Sequence, residues 1–398
     1  MDLSAYYSPI AQVMEQNPIR PSWAMQRPGV IPLAYGFPDP DSFPYDGVAD
    51  ATSRLMSQRR ADVLQYGPVA GPEPLREFVA DWLNRTEALG VTAANIMITS
   101  GASQAIVLAT RLLVPLGGTV LVESPTFIGA LWFLRGLGVE IVGLPMDRDG
   151  LEPSALRDTV RALRADGRQV RLVYTMPTVH NPLGFSMPTA RRQELAQIAQ
   201  ELDLIYLEDD AYGDLILEGE RPASLYRTVG ARRVIKLGTF SKLVAGGMRL
   251  GWAVAGPEDI VRMSGLKSDN ATSPFAAWVT AEYLASGALD ERVPVLRDLY
   301  RGRRDALLNG LAPLRELGCS WPHPTGGFFV WLSLPEGHNS ETLQPTAEAR
   351  GVTYLAGHHC FANGLDRRHL RLAYSYLPTD QIEEGARRLV SAIRASAA

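Results

Sequence analysis

Cysteine and lysine are the scarce residues of this chain. Only Cys319 and Cys360 occur among 398 residues, which excludes a disulfide framework and a cysteine-bound zinc and fits a reducing compartment. Three of the 39 basic residues are lysines, Lys236, Lys242 and Lys267, so chemistry that needs an amine has three candidates. Positive charge is not in excess either. The formal net charge is −4, and nothing suggests the basic field that a nucleic-acid backbone requires. Long apolar runs are missing as well: the longest uncharged stretch, 88–110, is broken by Thr, Asn, Ser, Gly and Gln, unlike a membrane span. Residues 1–16 carry acidic side chains and no apolar signal core. A cytoplasmic protein without membrane or nucleic-acid partners is expected.

Proline, by contrast, crowds the first 45 residues, with Pro9, Pro18, Pro21, Pro28, Pro32, Pro38, Pro40 and Pro44. Fixed φ and a missing donor predict an extended arm there, lying along another surface. From about residue 50, short apolar runs alternate with helical patterns. Strands are predicted at 95–99, 119–123, 140–144, 171–175, 204–209, 234–239 and 251–255, and helices at 103–113 and 189–202. Unbroken apolar runs of strand length suit a mostly parallel sheet buried on both faces, hence an α/β class. A helical region at 277–311 precedes strands at 327–334, 352–355 and 370–374 and an amphipathic helix at 379–396. The expected organisation is an arm over 1–45, a large ligand-binding domain over 46–285 and a small α+β domain over 286–398.

Ligands of open α/β sheets sit at the carboxyl ends of the strands. Chemistry-bearing residues gather there. After the first strand comes Thr99-Ser100-Gly101-Ala102-Ser103, a helix start able to hold an anion, typically phosphate. A helix simply capped by Ser103 is the local alternative, and no Gly-Lys-Ser/Thr follows as in a nucleotide-triphosphate loop. Lys242 ends another strand, beside Thr239 and Ser241, with Arg249 seven residues on. A lysine in that apolar setting suits Schiff-base chemistry, with the hydroxyls and Arg249 on a phosphate; a surface lysine in a turn is the alternative. Asp209 closes a strand rich in Leu, Ile and Tyr. A carboxylate there needs a positive partner, such as a protonated pyridine nitrogen, unless it caps a helix or joins a surface ion pair. Arg371 alternates with apolar residues on a strand, so it either faces a ligand or meets a buried acid. His180 reads as a solvated loop residue, and His358 and His359, with no acidic or cysteine cluster beside them, as non-metal.

Asp209-Asp210-Ala211-Tyr212, Ser241-Lys242 and Arg249 resemble fold-type I pyridoxal-phosphate enzymes of the class I/II aminotransferase family, in its kynurenine/2-aminoadipate branch. The resemblance runs from Leu33-Ala34-Tyr35-Gly36-Phe37-Pro38 through Leu64-Gln65-Tyr66-Gly67, Ser124-Pro125-Thr126-Phe127, Asn181-Pro182-Leu183-Gly184 and Thr325-Gly326-Gly327-Phe328-Phe329 to Arg371-Leu372-Ala373. It implies a large domain with a seven-stranded, mostly parallel sheet and a homodimer with shared sites. It also implies pyridoxal 5'-phosphate, and an activity that moves an amino group between an L-amino acid and a 2-oxo acid. By that resemblance Lys242 binds the cofactor covalently and shuttles the proton, and Asp209 keeps the ring nitrogen protonated. Asn181 and Tyr212 contact the ring oxygen, and Phe127 stacks on the ring. Gly101, Ala102, Ser103, Thr239, Ser241 and Arg249 hold the phosphate, joined by Tyr66 from the neighbouring subunit. Arg371 clamps the substrate carboxylate, and Gly36, Asn181 and Arg20 line the substrate site, with Tyr6, Tyr7 and Ile19 beside Arg20. The family's usual Gln-Asn-Pro-Thr-Gly reads His180-Asn181-Pro182-Leu183-Gly184 here. That departure keeps open a second outcome on the same scaffold, namely elimination, β/γ-substitution, cyclisation or oxidation. A non-catalytic effector sensor fused to a DNA-binding head is a third reading, disfavoured by the short irregular arm and the charge.

Overall fold

The structure, a computed structural model, describes residues 3, 6–17 and 28–396. Its main sheet has the strand order Ile96–Thr99, Gly251–Val254, Val234–Thr239, Ile205–Asp209, Val170–Thr175, Thr119–Ser124, Glu140–Asp147 and Gly150–Leu151. Each of the seven strands expected from sequence is present. The eighth is a two-residue edge that hairpins back on Glu140–Asp147. Gly251–Val254 runs antiparallel to both neighbours, whereas the sheet from Val234–Thr239 to Glu140–Asp147 pairs parallel throughout. Val122, Val173, Leu207 and Leu237 are fully buried, because helices such as Gly101–Leu113 and Thr189–Glu201 cover the faces. All parallel strands therefore end on one edge, where the loops carrying Gly101, Phe127, Asn181, Asp209 and Lys242 emerge.

A second layer forms from the C-terminal third. Phe329–Ser333, His369–Ala373 and Leu355–Ala356 make an antiparallel sheet. The Thr379–Ser396 helix buries Ile382, Ala386, Leu389 and Ile393, the 3–4 spacing of an amphipathic helix, and packs against Ala288–Leu311. The expected helical region is two helices, Pro274–Leu284 and Ala288–Leu311. Ile31–Pro32 pairs in parallel with Val352–Thr353, so the N-terminal segment is stitched to this second layer.

The expectation of a wholly extended arm is corrected. Pro9–Glu15 is a helix, with Pro9 in its first turn and the Ser8 hydroxyl accepting from the Ala11 N–H at 3.2 Å. Proline opens a helix without cost, since its absent N–H would have had no partner there. Among the described residues, no helix is long and apolar enough to cross a membrane.

Candidate active site

The Val234–Thr239 strand passes directly into a 3-10 turn, Phe240–Lys242, because the Thr239 hydroxyl accepts from the Ser241 N–H at 3.1 Å. That turn lifts Lys242 off the strand end. Its Nζ donates to the Gly36 carbonyl at 3.1 Å and lies 5.4 Å from the Phe328 ring centre. Gly36 must lack a side chain here: a Cβ would stand 2.3 Å from Cζ of Phe329. Burial, then Arg371 and Arg249, bring the Lys242 amine down from its usual 10.5 to about 8, against a smaller opposing pull from Asp209. The other lysines are occupied. Lys236 meets Glu87 at 3.2 Å, Glu208 at 3.8 Å and also Asp210. Lys267 donates to Thr272 at 2.8 Å and faces Asp269 at 3.6 Å. Among the described residues, Lys242 is the lysine without a carboxylate partner, so its amine is the one available as a nucleophile.

Asp209 is 1% exposed. Tyr174 donates to its Oδ2 at 2.7 Å, whereas Oδ1 has no hydrogen-bond partner. Neither the helix cap nor the surface ion pair that sequence allowed is present. Burial raises this carboxyl from 3.8 to about 6, opposed by the Tyr174 hydrogen bond and aided by neighbouring Asp210. Tyr174 escaped the sequence reading, although a tyrosine on a buried strand needs a partner for its hydroxyl. Tyr174→Phe removes a donor that favours the ionised form. The acid limb of the kcat/KM profile should then move to higher pH, with about tenfold lower activity. An unmoved limb would show that Tyr174 does not tune Asp209.

Arg249 and Gly101 meet across the sheet edge. Gly101 has φ +75°, and a Cβ on it would stand 3.0 Å from an Arg249 guanidinium nitrogen and 3.6 Å from the Ser103 hydroxyl. The alternative of a Ser103 cap is corrected: Ser103 lies inside the Gly101–Leu113 helix, Ser100 takes the cap position without a capping bond from its own side chain, and Gln104 Oε1 accepts from the Ser100 N–H at 2.9 Å. Arg249 thus lies beside a helix start that offers first-turn N–H groups at Ala102 and Ser103, and the Thr239 and Ser241 hydroxyls lie 3.0 Å apart at the end of the strand before Lys242.

Arg371 is buried without an acid. Its NH2 donates to the Ala34 carbonyl at 3.2 Å and its NH1 to Oδ1 of Asn181 at 3.4 Å. The guanidinium lies 4.2 Å from the Phe329 ring centre, and Nε has no partner. The buried acid that sequence allowed as its partner is not present among the described residues. Tyr212 is buried, 5.2 Å from Phe328 and 6.1 Å from Phe329 between ring centres. Phe127 immediately precedes the Ile128–Gly136 helix. His180 corrects its solvated reading, being 2% exposed. Tyr66 stands apart at 91% exposure. Tyr6 and Tyr7 are exposed, while Ile19 and Arg20 lie outside the described residues.

The family model "Aminotransferase class I and II" matches residues 28–389. The chain belongs to that family. This aminotransferase is 35% identical to "Aromatic-amino-acid aminotransferase 1" of Thermococcus litoralis over 99% of this chain and 95% of that protein. It superimposes with a TM-score of 0.92 on the kynurenine aminotransferase of Pyrococcus horikoshii, solved with PMP (34% identity, 99% and 98% of the chains covered). Against LysN, the α-aminoadipate aminotransferase of Thermus thermophilus, solved with N-(5'-phosphopyridoxyl)-L-leucine, the TM-score is 0.90 (32% identity, 99% of each chain covered).

Class I and II aminotransferases work with pyridoxal 5'-phosphate, and the donor set of this one fits it. An orphaned, buried carboxylate oxygen on Asp209 suits a protonated ring nitrogen. The helix start at Gly101 beside Arg249 suits a phosphate. An amine titrating near 8 suits an aldehyde.

Proposed function

We propose that this aminotransferase takes an L-amino acid by its α-carboxylate, moves the amino group to a 2-oxo acid, and does so with the residues gathered at the sheet edge. Three groups carry the reading: an amine at Lys242 with no carboxylate partner, an orphaned oxygen on the buried Asp209 and the buried, acid-free Arg371. Pyridoxal 5'-phosphate supplies an aldehyde and an electron-withdrawing ring when bound. Lys242 would hold it covalently and Asp209 would hold its ring nitrogen. Tyr212 and Asn181 would contact the ring oxygen, and Phe127 would cover the ring face. Gly101, Ala102, Ser103, Thr239, Ser241 and Arg249 would take the phosphate.

The protein's own part is orientation and proton transfer. Arg371 pins the substrate carboxylate, with Gly36 and Asn181 as further lining of the substrate site, which fixes the α-carbon in front of Lys242. Once the substrate amine has displaced it, Nζ of Lys242 would take the α-proton and deliver it to the former aldehyde carbon of the cofactor, a task suited to an amine near neutrality. The exposed Tyr66 supports a homodimer in which this residue completes the phosphate site of a second copy. Residues 46–285 serve as the cofactor-binding domain, and 1–45 with 286–398 as the part that brings Arg371 to it. A cytoplasmic setting accords with the two free cysteines, both buried.

Purified protein mixed with 2-oxoglutarate and a panel of L-amino acids that includes phenylalanine, tyrosine, kynurenine and 2-aminoadipate should form glutamate. No product across the panel would contradict transamination. In a single turnover the aminated cofactor should accumulate, which elimination, substitution, cyclisation or oxidation would not give. Arg371→Lys tests the clamp. A point charge cannot make the paired contacts of a guanidinium, so kcat/KM should fall about 100-fold, mostly through KM, with cofactor absorbance unchanged. A KM within twofold of the parent would rule the clamp out.

A further inference from the structure

Asn181 is held by a buried pair that no step so far has used. Its predecessor, His180, is 2% exposed, and Nε2 of that ring lies 3.3 Å from Oε2 of the fully buried Glu123. The same carboxylate accepts from the Thr175 hydroxyl at 2.6 Å and from the Met176 N–H at 2.7 Å. A carboxylate at that depth persists only when donors surround it. On the far side of the imidazole, Nδ1 accepts from the Leu183 N–H at 3.4 Å. Nε2 faces the Glu123 carboxylate at 3.3 Å without meeting hydrogen-bond geometry, so the two groups are a close buried contact. The imidazole is near parallel to the Phe185 ring (16°), while Gly184 N–H donates to the His180 carbonyl at 2.7 Å and His180 N–H to the Phe185 carbonyl at 2.8 Å.

Glu123 thus ties together three segments that reach the site. These are the strand leading to Phe127, the strand carrying Tyr174 and the loop carrying Asn181. We propose that Glu123 and His180 are a positioning pair that keeps the Asn181 carboxamide in reach of both Arg371 and the cofactor's ring oxygen. The inference rests on the aminotransferase reading, which gives Asn181 both tasks. Its contact with Arg371 is long, 3.4 Å, so a small tilt of the loop would release it.

His180→Leu, His180→Gln and Glu123→Gln test the pair. In the holoenzyme, His180→Leu should lower kcat/KM about tenfold or more, because a polar group facing the buried Glu123 carboxylate is replaced by an apolar one. It should also shift the visible absorption maximum of bound pyridoxal phosphate, because the ring oxygen loses its amide donor. His180→Gln, which keeps a polar group facing Glu123, should restore most of both. In cofactor-free protein, amide exchange over residues 178–185 should quicken in His180→Leu while 96–113 stays at the parent rate. If His180→Leu does not fold, Glu123→Gln should give the same spectral shift. Parent-like absorbance and exchange in His180→Leu, or equal damage in His180→Gln, would overturn the positioning role. Failure of the underlying reading looks different: the parent enzyme itself would carry no cofactor on Lys242, whatever these variants did.

Discussion

Lys242→Ala should lose transamination by on the order of 10⁴-fold or more, since one substitution removes both the covalent anchor and the base. The fold should survive, because the Lys242 side chain contributes one hydrogen bond, to the Gly36 carbonyl, and leaves no carboxylate unpaired. Kinetics of cofactor addition sharpen the expectation. The parent amine is brought down to about 8 by burial, Arg371 and Arg249. Below that pH it is mostly protonated, so the rate at which cofactor-free enzyme captures pyridoxal phosphate should climb through pH 8 and level off above it. Stopped-flow absorbance checks this. A rate still rising steeply at pH 10 would mean that the amine is not lowered, and an active Lys242→Ala enzyme would remove Lys242 from the mechanism.

Asp209→Asn should separate function from stability. Asparagine cannot carry the charge that keeps a ring nitrogen protonated, so activity should fall by about 10³-fold or more. Cofactor-free protein should respond in the opposite sense. Asp209 is raised from 3.8 to about 6 in the folded state. Between these values the folded chain binds more protons than the unfolded one, so this group's contribution to stability declines as pH rises and is flat above about 6. At pH 8 the ionised form costs about 3 kcal/mol by linkage, with no solvent screening to discount at 1% exposure. Cofactor-free Asp209→Asn should therefore unfold at a higher denaturant concentration than the parent at pH 8, with a smaller difference at pH 4. Addition of pyridoxal phosphate should stabilise the parent more than the variant. Equal stability of the two cofactor-free proteins at pH 8 would contradict the burial argument.

The sheet was readable because its strands are buried on both faces. Val234–Thr239 coincides with its predicted span, and Ile205–Asp209 differs by one residue at its start. Strand ends then located Gly101, Asp209 and Lys242 without side-chain geometry, since a parallel sheet delivers its loops to one edge. Contacts across distant segments were not readable. Tyr174 with Asp209, Phe329 beneath Arg371, and Glu123 with His180 join residues 35 to 57 positions apart, and nothing local marks them. His180 in particular sits in a loop rich in glycine and proline, where solvation is the natural expectation. The Glu123 strand on one side and Phe185 of its own loop on the other lie against it. The arm failed for a different reason: proline density argues against helix interiors but not against a helix that begins on Pro9.

The central claim is a covalent one, and reduction followed by peptide mapping tests it most directly. Holoenzyme treated with borohydride, digested and weighed by mass spectrometry should carry a phosphopyridoxyl group on the peptide containing Lys242, with Lys236 and Lys267 unmodified. A Lys242 peptide of unmodified mass, or the adduct on either other lysine, would contradict the account.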